Sequence, residues 1–413
     1  MTGLPGVRAE PLDWRTRGLW LPGRPVPASE FVAAGHHLFD APMSWPVMIA
    51  RRSAIEANIA TVAGYFARHG VRHAPHCKTT MAPSLIAAQL AAGAWGITTA
   101  TPNQALLCRE LAVPRVLLAN ELLDPRALRW AAAEIERGWR FSCYVDSTAG
   151  VAALAAALRD VPGERPFEVL VELGYAGGRS GCRSVAEVVE VAMAASAANR
   201  IRVAGVAGYE GALPDVAAAR AYLGTLRHAA LAVAPMLRDD VVVSAGGSTY
   251  FDVVVDELTG DWLPDRRVEV VVRPGAYVAH DDGYCAARTP FLRQPEAGAL
   301  SAALRIWAQV LSVPEPGLAI VGMGKRDAPY DEGMPVPQQV RGLDGALRAA
   351  GGITVTALND QHGYLALAGE TELAPGELVC FGISHPCTAF DKWRTIPVVD
   401  DDLRVVDLIH TYF

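Results

Sequence analysis

Short β-rich runs alternate with alanine-rich, helix-like stretches from residue 47 to about residue 250 of this 413-residue chain. Alternation of this kind predicts β/α units whose strands pair in parallel. We predict strands at residues 47–51, 71–76, 95–100, 115–120, 140–146, 167–174, 201–210 and 240–247. Eight such units are the size of a (β/α)8 barrel, and residues 268–275 are either a further barrel strand or its exit. An open doubly wound sheet is the alternative, but no GxGxxG sequence follows an early strand.

The sequence changes character after residue 285, where strand-like runs are separated by clusters of Pro, Gly and Asp. Little helical spacing remains, which predicts an antiparallel β domain. A chain of 413 residues is long enough for about two domains. We therefore predict an N-terminal segment at residues 1–45 that packs on the β domain, a barrel at 46–285 and the β domain at 286–413.

Composition excludes several classes of partner. A net charge of −7 argues against nucleic acid or an anionic membrane surface as the partner. The sequence has neither an N-terminal signal pattern nor an apolar run of about 18 residues that could span a bilayer. Seven cysteines without a CxxC pair indicate reduced thiols and predict a cytoplasmic protein.

Lys78 stands in the stretch APHCKTTMAP, between the predicted strand 71–76 and a helix-like stretch. Barrel enzymes place reacting groups where strands end. A partly desolvated lysine amine at that place is nucleophilic and forms Schiff bases with aldehydes. The alternative is an ordinary loop lysine whose charge stays in solvent.

Gly246, Gly247 and Ser248 end the last predicted strand, in the stretch VSAGGSTYFD. Backbone N–H groups and a hydroxyl at that end of a barrel predict a phosphate cradle, although a Gly-Gly pair can also be a simple turn. A lysine and a phosphate cradle at one barrel mouth suggest a ligand with both an aldehyde and a phosphate. Pyridoxal 5′-phosphate (PLP) is such a ligand.

His385 and Cys387 stand two positions apart in SHPCTAFDKW, so they face the same side of an extended segment. Imidazole and thiolate together suit Zn²⁺. His362, in QHGYL, is a candidate for a third ligand or for an acid or base. The alternative for the His-x-Cys pair is structural packing without a metal.

Seven motifs together resemble one enzyme family, and they occur in the order PHCKTT, GGRSGC, GYEG, SAGGST, VRPGAYV, QHGYL and SHPC. The resemblance is to the D-serine dehydratase and D-threonine aldolase family of PLP enzymes, closest to bacterial D-serine deaminase-like members. It runs from about residue 45 to the end of the chain. It implies the alanine-racemase fold, PLP fold type III, in which a (β/α)8 barrel precedes a β domain, and it implies a homodimer.

The resemblance also implies roles for single residues. Lys78 would bind PLP covalently and remove the α-proton of a D-amino acid, and Arg179 would approach the ring oxygen of PLP. His385 and Cys387 would be metal ligands. The other cofactor contacts that it implies are Tyr209, Gly246, Gly247, Ser248 and Tyr277.

The identity of the second metal ligand bears on the reaction. Aldolases of the family usually carry an aspartate there, so Cys387 favours a dehydratase with Zn²⁺ over an aldolase with Mn²⁺ or Mg²⁺. We therefore predict a lyase that converts D-serine or D-threonine to a 2-keto acid and ammonia. The alternatives are retro-aldol cleavage to glycine and an aldehyde, and a racemase or PLP-binding protein that needs no metal.

Overall fold

The computed structural model describes residues 10–413, which divide into two compact units. The barrel unit contains Ala63–Lys78 and Gln89–Gly275. The β unit contains the chain up to Val62, Thr79–Ala88 and Ala276–Phe413. The boundaries of the two units therefore differ from those of the predicted domains, 46–285 and 286–413.

The strands and helices are numbered along the chain. The strands are β1 (Val47–Arg51), β2 (Arg72–His73), β3 (Ile97–Thr99), β4 (Arg115–Glu121), β5 (Arg140–Val145), β6 (Phe167–Leu173), β7 (Ile201–Gly208), β8 (Val241–Ser244), β9 (Val268–Val272), β10 (Leu304–Glu315), β11 (Leu318–Val321), β12 (Val336–Arg341), β13 (Leu347–Ala349), β14 (Ile353–Leu358), β15 (Gly363–Leu367), β16 (Leu378–Gly382), β17 (Thr395–Val399) and β18 (Val405–His410). The helices are α1 (Ala28–Ala33), α2 (Arg52–Arg68), α3 (Pro83–Ala91), α4 (Pro102–Glu110), α5 (Pro125–Glu136), α6 (Thr148–Arg159), α7 (Val185–Ala197), α8 (Val216–Val233) and α9 (Phe251–Leu258).

The barrel unit contains a parallel sheet in the order β2-β9-β8-β7-β6-β5-β4-β3. The two ends of this sheet meet, because His76, just after β2, forms a parallel bridge with Thr98 of β3. The hydroxyl of Thr98 also donates to the carbonyl of Ala74 at 2.7 Å. The sheet thus closes into the predicted (β/α)8 barrel.

Capping side chains begin most of the barrel helices and so fix the loops that follow the strands. A side-chain oxygen accepts a backbone N–H of the first helical turn and satisfies one of its unpaired donors. These caps are Thr101 of α4, Asp124 of α5, Ser147 of α6, Ser184 of α7 and Asp215 of α8. The reacting groups of a barrel are expected in these same loops.

Val47–Arg51 is not a barrel strand, and the prediction for this segment is wrong. It lies in the β unit, antiparallel to β10 and parallel to β17. Val47 to Ala50 are all buried, and a short apolar run indicates burial on both faces without indicating which sheet provides it. The eighth barrel strand is β9, the run whose role the sequence leaves open.

The β unit is built on a sheet in the order β13-β12-β16-β10-β1-β17-β18, with β11, β15 and β14 continuing from β10. Its strand pairs are antiparallel except β1 with β17. The N-terminal segment contributes to the core of this unit. Its residues Leu12, Leu19, Phe31 and Leu38 lie in one buried cluster with Trp307.

Two further observations concern the predictions about membrane spans and cysteines. Among residues 10–413, no helix is both long and apolar enough to cross a membrane. All seven cysteines are free thiols.

Candidate active site

Lys78 lies at the mouth of the barrel, in the 3₁₀ turn Cys77–Thr79 that follows β2. It is exposed, whereas Cys77 and Thr79 are buried, so the partial desolvation expected from the sequence is not present. A 3₁₀ helix has three residues per turn, and consecutive side chains therefore point in different directions. The turn directs the amine away from the packed interior that holds its two neighbours.

The imidazole of His76 lies close enough to the predicted cofactor residues Lys78 and Arg179 for their charges to affect its pKa. Burial lowers the pKa of His76 well below its usual value, and the positive charges of Lys78, Arg273 and Arg179 lower it further. His76 is therefore neutral at physiological pH. Lys78 and Arg179, which lie far apart in the sequence, act on the same side chain.

Arg179, Tyr209 and Gly247 form a second group at the barrel mouth. The guanidinium carbon of Arg179 lies 4.6 Å from the centre of the Tyr209 ring, a cation–π distance. A Cβ atom on Gly247 would lie 3.2 Å from Cε2 of the same ring. The ring thus packs between the predicted oxygen-binding arginine and the glycine loop.

Glu210, for which the sequence predicts no role, holds the glycine loop. The N–H groups of Gly246 and Gly247 donate to the two carboxylate oxygens of Glu210, at 3.0 and 2.8 Å. Glu210 is fully buried. The two amides predicted to hold a phosphate are thus already paired within the protein, while Ser248 follows them, half-buried, before α9.

Several buried polar atoms at the ends of the barrel strands have no hydrogen-bond partner in the described part of the chain. They are His76 Nδ1, Thr99 Oγ1, Glu121 Oε1, Tyr144 Oη and Glu172 Oε2. Buried polar groups without partners cost free energy, so their presence on neighbouring strands fits the binding of a polar ligand such as PLP. Burial, followed by the charge of the neighbouring Glu172, raises the pKa of Glu121 to about 8.

His385 and Cys387 lie in the β unit, close enough for Cys387 to raise the pKa of His385. His385 is extended, but Cys387 lies in the 3₁₀ turn Pro386–Thr388, so the expectation of one extended segment holds only in part. Nδ1 of His385 lies 2.7 Å from Oδ2 of Asp331, and the hydroxyl of Thr388 donates to Oδ1 of Asp331 at 2.7 Å. With Nδ1 paired to Asp331, Nε2 is the ring nitrogen that a metal shared with Cys387 would bind.

Burial and the two neighbours Cys387 and Asp331 shift the pKa of His385 in opposite directions. Burial lowers its pKa, but hydrogen bonds and charge from Cys387 and Asp331 outweigh burial and raise the pKa to about 9. Thr79 completes the contacts of the pair, since its Oγ1 lies 3.3 Å from Cys387 Sγ. Sequence reasoning missed Asp331 and Thr79, although both belong to conspicuous stretches, YDEG and CKTT.

Two other predicted residues lie elsewhere in the β unit. His362 is exposed in the turn between β14 and β15, where its carbonyl accepts from the N–H of Asn359 at 2.8 Å. Tyr277 is buried in the turn Ala276–Val278. Within residues 10–413, no group of three or more His, Cys, Asp and Glu side chains is arranged to hold a metal ion, so His385 and Cys387 stand as a pair of donors.

A cavity of about 630 Å³ lies at the opposite end of the barrel, among residues that begin the strands, including Arg115, Arg140 and Glu168. It contains none of the predicted site residues. Because barrel chemistry occurs where strands end, we assign the reaction to the mouth that carries Lys78 and not to this cavity.

The sequence of this chain is similar to one protein family and to several known enzymes. Residues 303–399 match the family described as putative serine dehydratase domain. The chain is also 25% identical over 331 residues to D-threonine aldolase of Arthrobacter sp., which covers 78% of this chain and 79% of that protein. It is 29% identical over 340 residues to D-threo-3-hydroxyaspartate dehydratase of Delftia sp. strain HT23, which covers 78% and 83%.

Solved structures extend the likeness beyond residues 303–399. D-threonine aldolase from Filomicrobium marinum superposes with a TM-score of 0.75 at 24% identity, over 90% of this chain and 95% of that one. An alanine-racemase-like protein from Idiomarina loihiensis gives 0.67 at 15% identity, over 89% and 96%. A cysteine-to-alanine mutant of D-threo-3-hydroxyaspartate dehydratase, in the metal-free form, gives 0.70 at 25% identity, over 90% and 98%. The predicted family resemblance and the alanine-racemase-like fold are confirmed.

Proposed function

We propose that this protein is a PLP- and metal-dependent lyase that dehydrates and deaminates a D-3-hydroxy amino acid, D-serine or D-threonine, to a 2-keto acid and ammonia. The observation that carries the proposal is the contact between Thr79 Oγ1 and Cys387 Sγ. Thr79 is joined by a peptide bond to Lys78, so the segment that carries the amine also contacts the thiol of the proposed metal pair.

The residues at the barrel mouth would hold PLP. Lys78 supplies the amine for covalent attachment, and Arg179 and Tyr209 supply a cation and a ring beside it. PLP, when bound, accepts the electrons left at Cα after proton loss. The amine of Lys78 removes that proton, on the face where a D-amino acid presents it. Burial, followed by the charges of Lys78, Arg273 and Arg179, keeps the neighbouring His76 neutral, so His76 adds no charge to the site.

His385 and Cys387 would hold the metal, and an imidazole with a thiolate favours Zn²⁺ over Mn²⁺ or Mg²⁺. The metal, when bound, polarises the β-hydroxyl, which is otherwise a poor leaving group. Asp331 orients His385 through Nδ1, and Thr79 contacts the sulfur. Support comes from a cysteine-to-alanine mutant of D-threo-3-hydroxyaspartate dehydratase in a metal-free form, which implies that this relative otherwise binds a metal.

Retro-aldol cleavage to glycine and an aldehyde is the second candidate, because one curated relative is a D-threonine aldolase. Cys387 favours the dehydratase, since an aspartate is usual at this position in the aldolases. We also propose a homodimer in the cytoplasm, as the family resemblance and the free thiols suggest.

The test uses purified protein supplied with PLP and Zn²⁺, and with D-serine, D-threonine and D-3-hydroxyaspartate in separate reactions. Keto acid with ammonia and glycine with aldehyde are measured separately, with the L-enantiomers as controls. We expect keto acid and ammonia from a D-substrate and loss of activity on treatment with EDTA. Glycine with aldehyde would instead establish the aldolase, and activity that resists EDTA would remove the metal from the proposal.

A further inference from the structure

Glu210 joins two neighbouring loops at the barrel mouth. It follows β7, and it accepts hydrogen bonds from Gly246 and Gly247, which follow β8. Each carboxylate oxygen takes one amide, and the side chain is fully buried. Hydrogen bonds to a charged acceptor are roughly twice as strong as neutral ones, so this is a strong link between the two loops.

The backbone of the glycine loop is shaped to hold an anion. Gly246 has φ +94°, a conformation that L side chains rarely adopt, and a Cβ atom there would lie 2.8 Å from Cγ1 of Val272. Successive N–H groups in such a conformation point into one concavity, which is a common anion-binding arrangement. The anion in this concavity is the carboxylate of Glu210, a residue of the same chain.

We propose that Glu210 is a positioning residue that fixes the glycine loop, and that the phosphate of PLP does not use the Gly246 and Gly247 amides. The inference rests on the proposed function, because it concerns how the same cofactor is held. The loop presents Ser248 and the residues after it to the phosphate, in a geometry that Glu210 sets.

Charge and burial keep the Glu210 carboxylate on the two amides. A phosphate could take the two amides only if Glu210 left them, and the buried carboxylate would then lose both donors. Removing the partner of a buried charge is among the most costly changes in a protein. A phosphate placed at these two amides beside an unmoved Glu210 would meet a like charge, and both amide donors would already be taken. The geometry is therefore consistent only with a carboxylate that stays.

The test compares Glu210→Gln with Glu210→Asp, and Glu190→Gln serves as the matched control because Glu190 is exposed on α7. The first measurement is amide hydrogen exchange of the peptide that contains Gly246 and Gly247, in protein without PLP. Glu210→Gln replaces one acceptor oxygen by a donor, so we expect faster exchange there and no change in Glu190→Gln. Unchanged exchange in Glu210→Gln would overturn the inference, whatever the cofactor does.

The second measurement is the dissociation constant of PLP, with inorganic phosphate as a competitor. We expect PLP to bind roughly 10- to 100-fold more weakly to Glu210→Gln, with Glu210→Asp between it and the wild type. Tighter binding of PLP or phosphate by Glu210→Gln would mean that the carboxylate only occupies the phosphate site, and would overturn the inference. A wild-type protein that binds no PLP would contradict the proposed function instead, while the exchange result would still decide the role of Glu210.

Discussion

Thr79 Oγ1 and Cys387 Sγ lie 3.3 Å apart although 308 positions of sequence separate them. Thr79 is buried and Cys387 is half-buried, so little water competes for this hydrogen bond. Either atom can donate in this bond, but when Cys387 is a thiolate only the Thr79 hydroxyl can, and that bond stabilises the form that binds metal. The contact therefore gives the threonine after Lys78 a role in holding the proposed metal.

Thr79→Val should weaken Zn²⁺ binding by roughly 10-fold, because it removes a hydrogen bond to a ligand while keeping the shape of the side chain. A competition titration with a chromophoric chelator measures the affinity. PLP should still bind, since Lys78 is unchanged. Thr354→Val, the same change at an exposed position of β14, is the control. Equal Zn²⁺ affinity in the two variants would contradict the role of Thr79.

Asp331→Asn should also weaken Zn²⁺ binding, by about 10- to 100-fold. Asp331 holds Nδ1 of His385 at 2.7 Å, and an amide in its place has no charge with which to orient the ring. The matched change is Asp265→Asn, at an exposed position of the barrel unit. The same chelator titration applies, and a wild-type affinity in Asp331→Asn would show that the carboxylate does not support the ligand.

Lys78→Ala should abolish the visible absorbance of lysine-bound PLP and reduce turnover by about a thousandfold or more, because the variant lacks both the amine and its base. Lys325→Ala is the control, since Lys325 is exposed and its ammonium lies 5.5 Å from the Tyr330 ring. An absorbance spectrum after removal of free PLP measures attachment. A Lys78→Ala variant that keeps a covalently attached chromophore would show that another residue carries the cofactor.

The barrel could be predicted from sequence because each β/α unit carries its own pattern of strand, cap and helix. The strand at Val47–Arg51 could not be assigned, since its apolar residues predict burial but carry no signal for the partners β10 and β17. The exposure of Lys78 was also missed, because the direction of its side chain depends on the 3₁₀ turn around it.

The candidate site was predictable to the extent that its residues lie in motifs. The motifs suggested Lys78, Arg179 and Tyr209, which the structure brings into one neighbourhood. The residues that support the motifs were not predictable. Glu210 meets Gly246 across 36 positions, and Asp331 meets His385 across 54, so only the folded chain reveals these pairs.

Glu121, half-buried beside the buried Glu172, predicts a dependence of stability on pH. Burial, with the charge of Glu172, raises the pKa of Glu121 from 4.5 to about 8 in the folded protein. Between these two values the folded protein holds a proton that the unfolded chain releases, so the free energy of unfolding falls as pH rises. Glu121→Gln, which cannot ionise, should make that fall smaller.

Urea denaturation of protein without PLP, at pH 5 and at pH 8, measures the effect, with Glu190→Gln as the control for a change at an exposed position. We expect the difference in unfolding free energy between the two pH values to be smaller in Glu121→Gln than in the wild type and the control. Equal differences in all three proteins would show that Glu121 is ionised in the fold. In that case Glu121 would add a negative charge among the unpartnered polar atoms at the barrel mouth.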